Sequence, residues 1–137
     1  LFITVEAMVR VGLIDLAARE LLRLTHGSLT LNTMLVLWLS AFASGIVDNI
    51  PYTATMIPVV KSLGQTVRAQ PLWWALAAGA DLGGNATLVG ASANVVVASL
   101  AARSGRSISF KRFLGSGLLT TAMSLVIATA YIWLRYL

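Results

Sequence analysis

The 137-residue chain lacks cysteine, and it contains one histidine and five acidic side chains. The absence of thiols excludes disulfides, thiolate metal sites and cysteine nucleophiles. Charged residues make up 11% of the chain and hydrophobic residues 58%, whereas a soluble domain carries roughly 25% charge. Together with a mean hydropathy of +0.83, this composition predicts an all-α integral membrane protein with several membrane-spanning segments.

The few charges are unevenly distributed along the chain. Asp48 is the only charge in residues 25–59, and Asp81 is the only charge in residues 70–101. The net charge of +5 comes from basic loops, above all from RSGRSISFKR at 103–112. Such loops orient spans and contact anionic lipid, so the lipid bilayer is the expected partner and nucleic acid is not. We expect a multi-pass protein of a bacterial or archaeal inner membrane, with 103–112 on the cytoplasmic face.

The first part of the chain, residues 1–28, has the pattern of a scaffold helix followed by an amphipathic arm. Glu6 with Arg10, and Asp15 with Arg19, are acid-to-base pairs at i, i+4 in the order that stabilises a helix. An internal ion pair on a scaffold helix is therefore the simplest role for Glu6.

The second part, residues 29–68, is predicted to form a re-entrant hairpin. An apolar run stops at Asp48-Asn49-Ile50-Pro51 and resumes for a stretch too short to cross a bilayer alone. A single kinked span is the alternative. We prefer the hairpin, with Asp48 and Asn49 at its tip and Pro51 in the break, because a tip facing water lowers the cost of a carboxylate at membrane depth.

The third part, residues 69–137, is predicted to contain a broken transmembrane helix and a final transmembrane helix. Its centre, GADLGGNATLVGASANVVVASL at 79–100, combines helix-weakening glycines with polar side chains. Discontinuous helices of this kind build the binding sites of many secondary transporters. We assign Gly79, Gly83 and Gly84 to the break, although Gly79 and Gly83 also form a GxxxG pair of the kind that associates helices.

The polar residues around the two breaks are the candidate site. Asp48 and Asp81 are intramembrane carboxylates, which are functional by default, although either could simply cap a helix. Amide and hydroxyl oxygens are suited to a hard cation such as Na⁺, and the candidate Na⁺ site is near Asp48, Asn49, Ser92 and Asn94. The complete candidate set for a substrate or ion is Asp48, Asn49, Thr53, Asp81, Asn85, Thr87, Gly90, Ser92 and Asn94.

Two stretches carry a family resemblance: SGIVDNIPYTATMIPVV (44–60) and GADLGGNATLVGASANVVVA (79–98). They closely resemble the C-terminal half of the P-protein (pink-eyed dilution)-like branch of the ion transporter superfamily. Its relatives include arsenite efflux permeases, sodium–proton antiporters, and citrate and dicarboxylate transporters. The resemblance implies the C-terminal repeat of an inverted-repeat transporter. In it Asp48, Asn49 and Pro51 form the hairpin tip, and residues 90–94 form the unwound part of the broken helix.

The resemblance also implies partners and an activity. The N-terminal half of the transporter would supply the second half-site, and the complete protein would be a homodimer. We expect a secondary active transporter, not an enzyme, that moves an inorganic or small organic anion or exchanges Na⁺ and H⁺ by alternating access. No cofactor is expected beyond a coupling Na⁺ or H⁺, with Asp81 the better candidate for protons and Asp48 for the cation.

Two alternatives belong to other classes of protein. An intramembrane aspartyl protease would use Asp48 and Asp81 as a catalytic dyad sharing one proton. A channel or a structural subunit would need neither aspartate for coupling, and a broken helix is compatible with both.

Overall fold

A computed structural model describes residue 7 and residues 10–137 of the chain, without the side chains of residues 13–15. All regular secondary structure in this part is helical. Six helices have defined bounds there: α1 (Leu13–Leu24), α2 (Leu29–Ser44), α3 (Asn49–Leu63), α4 (Ala69–Gly84), α5 (Ser92–Arg103) and α6 (Phe110–Tyr136). Glu6 and the side chain of Asp15 lie outside the described residues, and so do their predicted ion pairs.

Helix α1 is amphipathic and ends in a tight turn. His26 and Gly27 both have positive φ, of 50° and 70°, which turns the chain out of the helix. The hydroxyl of Ser28 then caps α2 by accepting from the backbone N–H of Leu31. His26 is therefore a turn residue, exposed to solvent.

The chain reverses direction between α2 and α3, at residues 45–48. The Tyr52 hydroxyl donates to Ser40 Oγ at 3.1 Å, although a continuous helix would separate these residues by about 18 Å. Asp48 caps α3 by accepting from the Ile50 N–H at 3.1 Å. Pro51, which the sequence placed in the break, lies inside the first turn of α3, where its missing N–H leaves no helical bond unmade.

Helices α2 and α4 pack side by side and run parallel. Gly79 of α4 lies against the carbonyl of Leu37, and Gly83 lies against the backbone of Ala41. A Cβ at either glycine would collide with that backbone. The three glycines 79, 83 and 84 thus belong to α4 rather than to the predicted break. At 79 and 83 they allow close helix packing, as in other GxxxG pairs.

Helix α6 runs antiparallel to α4 and packs against it. Thr121 Oγ1 donates to the Leu82 carbonyl at 3.3 Å, and the rings of Trp74 and Tyr136 stack with centroids 5.9 Å apart. The connections 25–28 and 64–68 consequently lie at one end of the bundle, and residues 104–109 lie at the other.

The packed core lies mainly between α2, α3 and α4. Leu37, Val60, Leu63 and Leu72 are completely buried there. By contrast, α5 has no buried residue, and large apolar side chains of α5 and α6 are exposed. Within the described residues, α6 is the one helix long and apolar enough to cross a membrane, while α2 is a shorter apolar helix of 16 residues.

Candidate functional site

The two helix interruptions, residues 45–48 and 85–91, lie next to each other because α2 and α4 are parallel and in register. Two hydrogen bonds fix this arrangement. The buried Ser44 hydroxyl donates to the Ala80 carbonyl at 2.6 Å, and the Thr87 hydroxyl donates to the Gly45 carbonyl at 2.6 Å. The Thr87 hydroxyl therefore satisfies the Gly45 carbonyl just past the end of α2, which a continuous helix would have satisfied itself.

The amino ends of α3 and α5 meet at the Asp48 carboxylate. One of its oxygens accepts from the Ile50 N–H of α3, and the other accepts from the hydroxyl of Ser92, the first residue of α5. The residue before α5 is Ala91, which has no side-chain oxygen to cap the helix. A helix amino end has a partial positive charge, so one carboxylate serves two such ends.

Asn94 holds the second interruption in shape. Its side-chain amide donates to the carbonyls of Gly84 and Thr87, both at 2.9 Å. Both amide protons are thereby used within the protein, and only Oδ1 is left to face a ligand. Ser92 and Asn94 lie in the first turn of α5, so the unwound segment ends at Ala91 instead of extending to residue 94.

Thr87 and Gly90 form the tightest part of this segment. Gly90 donates its N–H to Thr87 Oγ1 at 3.0 Å. A Cβ built on Gly90 would lie 2.8 Å from the Gly84 carbonyl oxygen and 3.0 Å from that of Ser44. Only glycine fits at position 90 without moving one of these backbones.

A groove beside the interruptions brings together three other candidate residues. It has a volume of about 410 Å³ and lies between α3 and α4, with Asn49 and Thr53 on one wall and Asp81 on the other. The rest of its lining is apolar or backbone, including Ile50 and Ala80. Asp81 is exposed toward solvent, and its carboxylate is the one charge on the groove's walls.

The predicted site residues therefore divide into two neighbouring groups and one outlier. Asp48, Thr87, Gly90, Ser92 and Asn94 form a hydrogen-bonded cluster, which we call the tip cluster. The groove contains the second group, and it adjoins the tip cluster through the Asp48–Asn49 peptide. Asn85 is the outlier, since its carbonyl faces Gly117 of α6.

The sequence did not single out Ser44 and Gly117, although both shape the site. Ser40 and Ser44 are spaced four residues apart on an otherwise apolar helix, and this polar stripe was the available signal. Gly117 allows the break to approach α6, because a Cβ there would lie 2.6 Å from the Ala86 carbonyl oxygen.

The geometry bears on two other kinds of site, a metal centre and an aspartyl protease dyad. Among the described residues, no group of three or more histidine, aspartate or glutamate side chains could hold a metal ion. Within the same part of the chain, the hydrogen bonds of Asp48 go to α3 and α5 rather than to Asp81. The shared-proton contact of an aspartyl dyad is thus not formed here.

The comparison with known families accords with a membrane protein of this architecture. The CitMHS family model, described as citrate transporter, matches residues 2–137. The chain belongs to the CitMHS citrate transporter family. It is thus a membrane protein of a transporter family, as its composition predicted.

Individual relatives confirm the predicted resemblance. An uncharacterized transporter of Mycobacterium tuberculosis is 49% identical over 140 residues, which are 99% of this chain and 33% of the relative. The 46 kDa membrane protein of Mycobacterium leprae is 47% identical over 141 residues, covering 100% and 33%. The human P protein is 40% identical over 141 residues, covering 96% and 17%.

The chain spans about a third of the length of its mycobacterial relatives. No solved structure matches the chain significantly.

Proposed function

We propose that the whole protein is a secondary active transporter, without enzymatic activity, that moves a small anion across the membrane in exchange or symport with H⁺ or Na⁺. The described chain would contribute one half-site, and the N-terminal half would contribute the other in a homodimeric assembly. The mycobacterial relatives favour a bacterial inner membrane as its location.

The observation that carries the proposal is the convergence of two helix interruptions on Asp48. Two helix amino ends and two helix carboxyl ends lie around the tip cluster, since α2 and α4 stop where α3 and α5 begin. In secondary transporters, half-helix amino ends face anionic substrate groups, while exposed carbonyls coordinate the coupling cation. The tip cluster brings both kinds of helix end together within one small region.

The depth of this region supports transport rather than a surface role. Helix α6 has 27 residues and so measures about 40 Å, which exceeds the ~30 Å hydrocarbon core of a bilayer. Gly117, the residue that faces the second interruption, lies about 10 Å along α6 from Phe110. Irregular backbone at this depth is tolerated where protein buries it or water reaches it, as at an ion pathway.

Helix lengths support the membrane arrangement that the sequence predicts. Helix α2 has 16 residues and α3 has 15, so each is about 22–24 Å long and shorter than the hydrocarbon core. Residues 29–68 would therefore enter and leave on one side as a re-entrant hairpin. Residues 69–103 would form the broken transmembrane helix, with α6 as the final span.

Alternating access would move the hairpin and α4 together. Gly79 and Gly83 of α4 lie directly against the backbone of α2, and the buried Ser44 hydroxyl donates to the Ala80 carbonyl. The hairpin and α4 would therefore move as one rigid unit. The scaffold formed by the first 28 residues would be the part against which this unit moves.

A small carboxylate is the first substrate to test, because the family is described as citrate transporter. Na⁺/H⁺ exchange is the second candidate, since both groups of the site contain one carboxylate and neutral oxygen ligands. In either case we propose that Asp48 binds the coupling cation or stabilises the helix ends of the tip cluster. We assign the coupling proton to Asp81, whose carboxylate faces the groove. Unlike the carboxylate of Asp48, it accepts no hydrogen bond from α5 in the part of the chain that the structure describes.

Uptake by the full-length protein in liposomes tests the proposal. We expect labelled citrate or another small anion to accumulate only under a Na⁺ or pH gradient. Asp81→Asn should flatten the pH dependence, and Asp48→Asn should weaken the cation dependence. Glu20→Gln is the matched control, because it removes an exposed carboxylate of α1 that pairs with Arg23 at 4.0 Å.

Two results would contradict the proposal, and one would decide between its two candidates. Downhill flux unaffected by either gradient would indicate a channel. Gradient-driven exchange of Na⁺ and H⁺ without any anion would select the second candidate. Peptide-bond cleavage abolished by either aspartate variant would restore the protease hypothesis.

A further inference from the structure

A second cavity lies at the opposite end of α5 from the tip cluster. It has a volume of about 430 Å³ and lies between the last turn of α5, the loop after it and the first two turns of α6. Arg106, Ser107 and Arg112 line it, together with apolar side chains such as Ile108 and Phe113. It shares no residue with the groove of the candidate transport site.

The cavity is strongly cationic. Segment 103–112 contains four basic residues and no acid, and no ion pair of Arg106 or Arg112 is formed within the described chain. Each guanidinium presents a planar fork of N–H donors that matches the oxygens of a phosphate group. Two such forks in one cavity without a protein carboxylate leave the positive charge available to an anion.

Helix-end motifs hold both arginines in place. Arg106 donates its backbone N–H to the Ala101 carbonyl at 2.9 Å, and Gly105, with φ of 75°, donates to Ala102 at 3.1 Å. This pair of bonds is a Schellman motif, which fixes how the chain leaves α5. Arg112 donates its N–H to Ser109 Oγ at 3.3 Å in the cap of α6. The backbone of the cavity is thus preorganised.

The surroundings of the cavity are those of a lipid headgroup. It lies at the amino end of α6, so in a bilayer that α6 crosses it would lie at the level where headgroups meet the hydrocarbon. Toward the membrane interior, α5 exposes Val96, Val97 and Leu100 by 55–58% each, and none of its residues is buried. A ligand with an anionic head and long apolar chains would bury both surfaces.

We propose that the cavity at Arg106 and Arg112 binds the phosphate headgroup of an anionic phospholipid, whose acyl chains cover the exposed face of α5. Basic cavities between membrane helices bind anionic headgroups in this way. The site depends on the membrane location of the family and not on the transported substrate, so the two proposals fail independently.

Titration of detergent-solubilised full-length protein with a fluorescent phosphatidylglycerol tests the site, with phosphatidylcholine and inorganic phosphate as competitors. We expect the double variant Arg106→Gln/Arg112→Gln to weaken phosphatidylglycerol binding about 25-fold, at roughly fivefold per arginine. The control Arg103→Gln/Lys111→Gln removes the same charge from side chains that do not line the cavity, and should cost less than about threefold.

The outcomes distinguish a lipid headgroup from free phosphate, and a defined binding site from diffuse surface charge. Equal weakening by both double variants would overturn the site in favour of diffuse surface charge. Displacement of the lipid by inorganic phosphate as effectively as by unlabelled phosphatidylglycerol would overturn the lipid in favour of a free anion. Equal affinity for phosphatidylcholine would also overturn the proposal. Both arginines are exposed, so thermal unfolding should match the wild type in all variants.

Discussion

Replacement of Gly83 by alanine tests the close packing of α2 against α4. An added Cβ at this position meets the carbonyl oxygen, Cα and carbonyl carbon of Ala41. These are backbone atoms, which cannot rotate away as a side chain would. The helices must therefore separate, and the neighbouring hydrogen bond from Ser44 to the Ala80 carbonyl must lengthen.

Two opposing contributions determine the size of the effect. Gly→Ala favours a helix by about 0.8–1 kcal/mol in its interior and by less at Gly83, the second-last residue of α4, whereas overpacking a core typically costs about 1–3 kcal/mol and occasionally more. Since the clash is with backbone, we expect the larger cost to exceed the propensity gain. The net loss in unfolding free energy should be about 1–2 kcal/mol for Gly83→Ala.

Gly115 provides the matched control. It is also a helical glycine, but a Cβ built on it has nothing within 4 Å. Gly115→Ala should raise the unfolding free energy by about 0.5–1 kcal/mol. Denaturant unfolding of the purified full-length protein in detergent, followed by circular dichroism, measures both changes. Equal stabilisation by the two substitutions would refute the close α2–α4 contact.

Three further predictions concern the interruptions and the ends of the bundle. Asn94→Ala should lower the unfolding free energy by about 1–3 kcal/mol through two lost donors, whereas Ser99→Ala, which loses one bond within its own helix, should be nearly neutral in the same unfolding assay. Thr87→Val should impair transport and stability while Thr87→Ser preserves both, because only the hydroxyl bonds Gly45 and Gly90; equal loss would contradict this. Cysteines at Gln65 and Ser104 should be labelled from opposite membrane faces in intact vesicles, and labelling from one face would contradict a membrane crossing by residues 69–103.

Local sequence predicted the class of protein and the positions of both interruptions well. Scarce charge and long apolar runs identify a membrane protein because each charge in hydrocarbon is costly. The Asp48-Asn49 pair predicted the first interruption because these side chains cap helices and form turns. The second interruption was also predicted, but it begins after Gly84, later than the glycines at 79 and 83 indicated.

The roles of individual residues depended on contacts that local sequence does not contain. Whether a glycine breaks a helix or packs it is decided by its neighbour, and the neighbour of Gly79 is Leu37 on another helix. Asn94 has the chemistry of an ion ligand, yet its amide protons bond Gly84 and Thr87. The cavity between Arg106 and Arg112 likewise depends on the connection that brings the first turns of α6 near the last turn of α5.

The parallel pairing of α2 and α4 determines when the fold can be completed during synthesis. Antiparallel neighbours can pair as soon as a short turn has formed, but parallel helices must wait for the whole returning segment between them. Here the bonds from Ser44 to Ala80 and from Thr87 to Gly45 join residues 36 and 42 positions apart. A nascent chain that ends before α4 leaves α2 without its main neighbour, so the tip cluster can form only after α4 and the start of α5 have been synthesised.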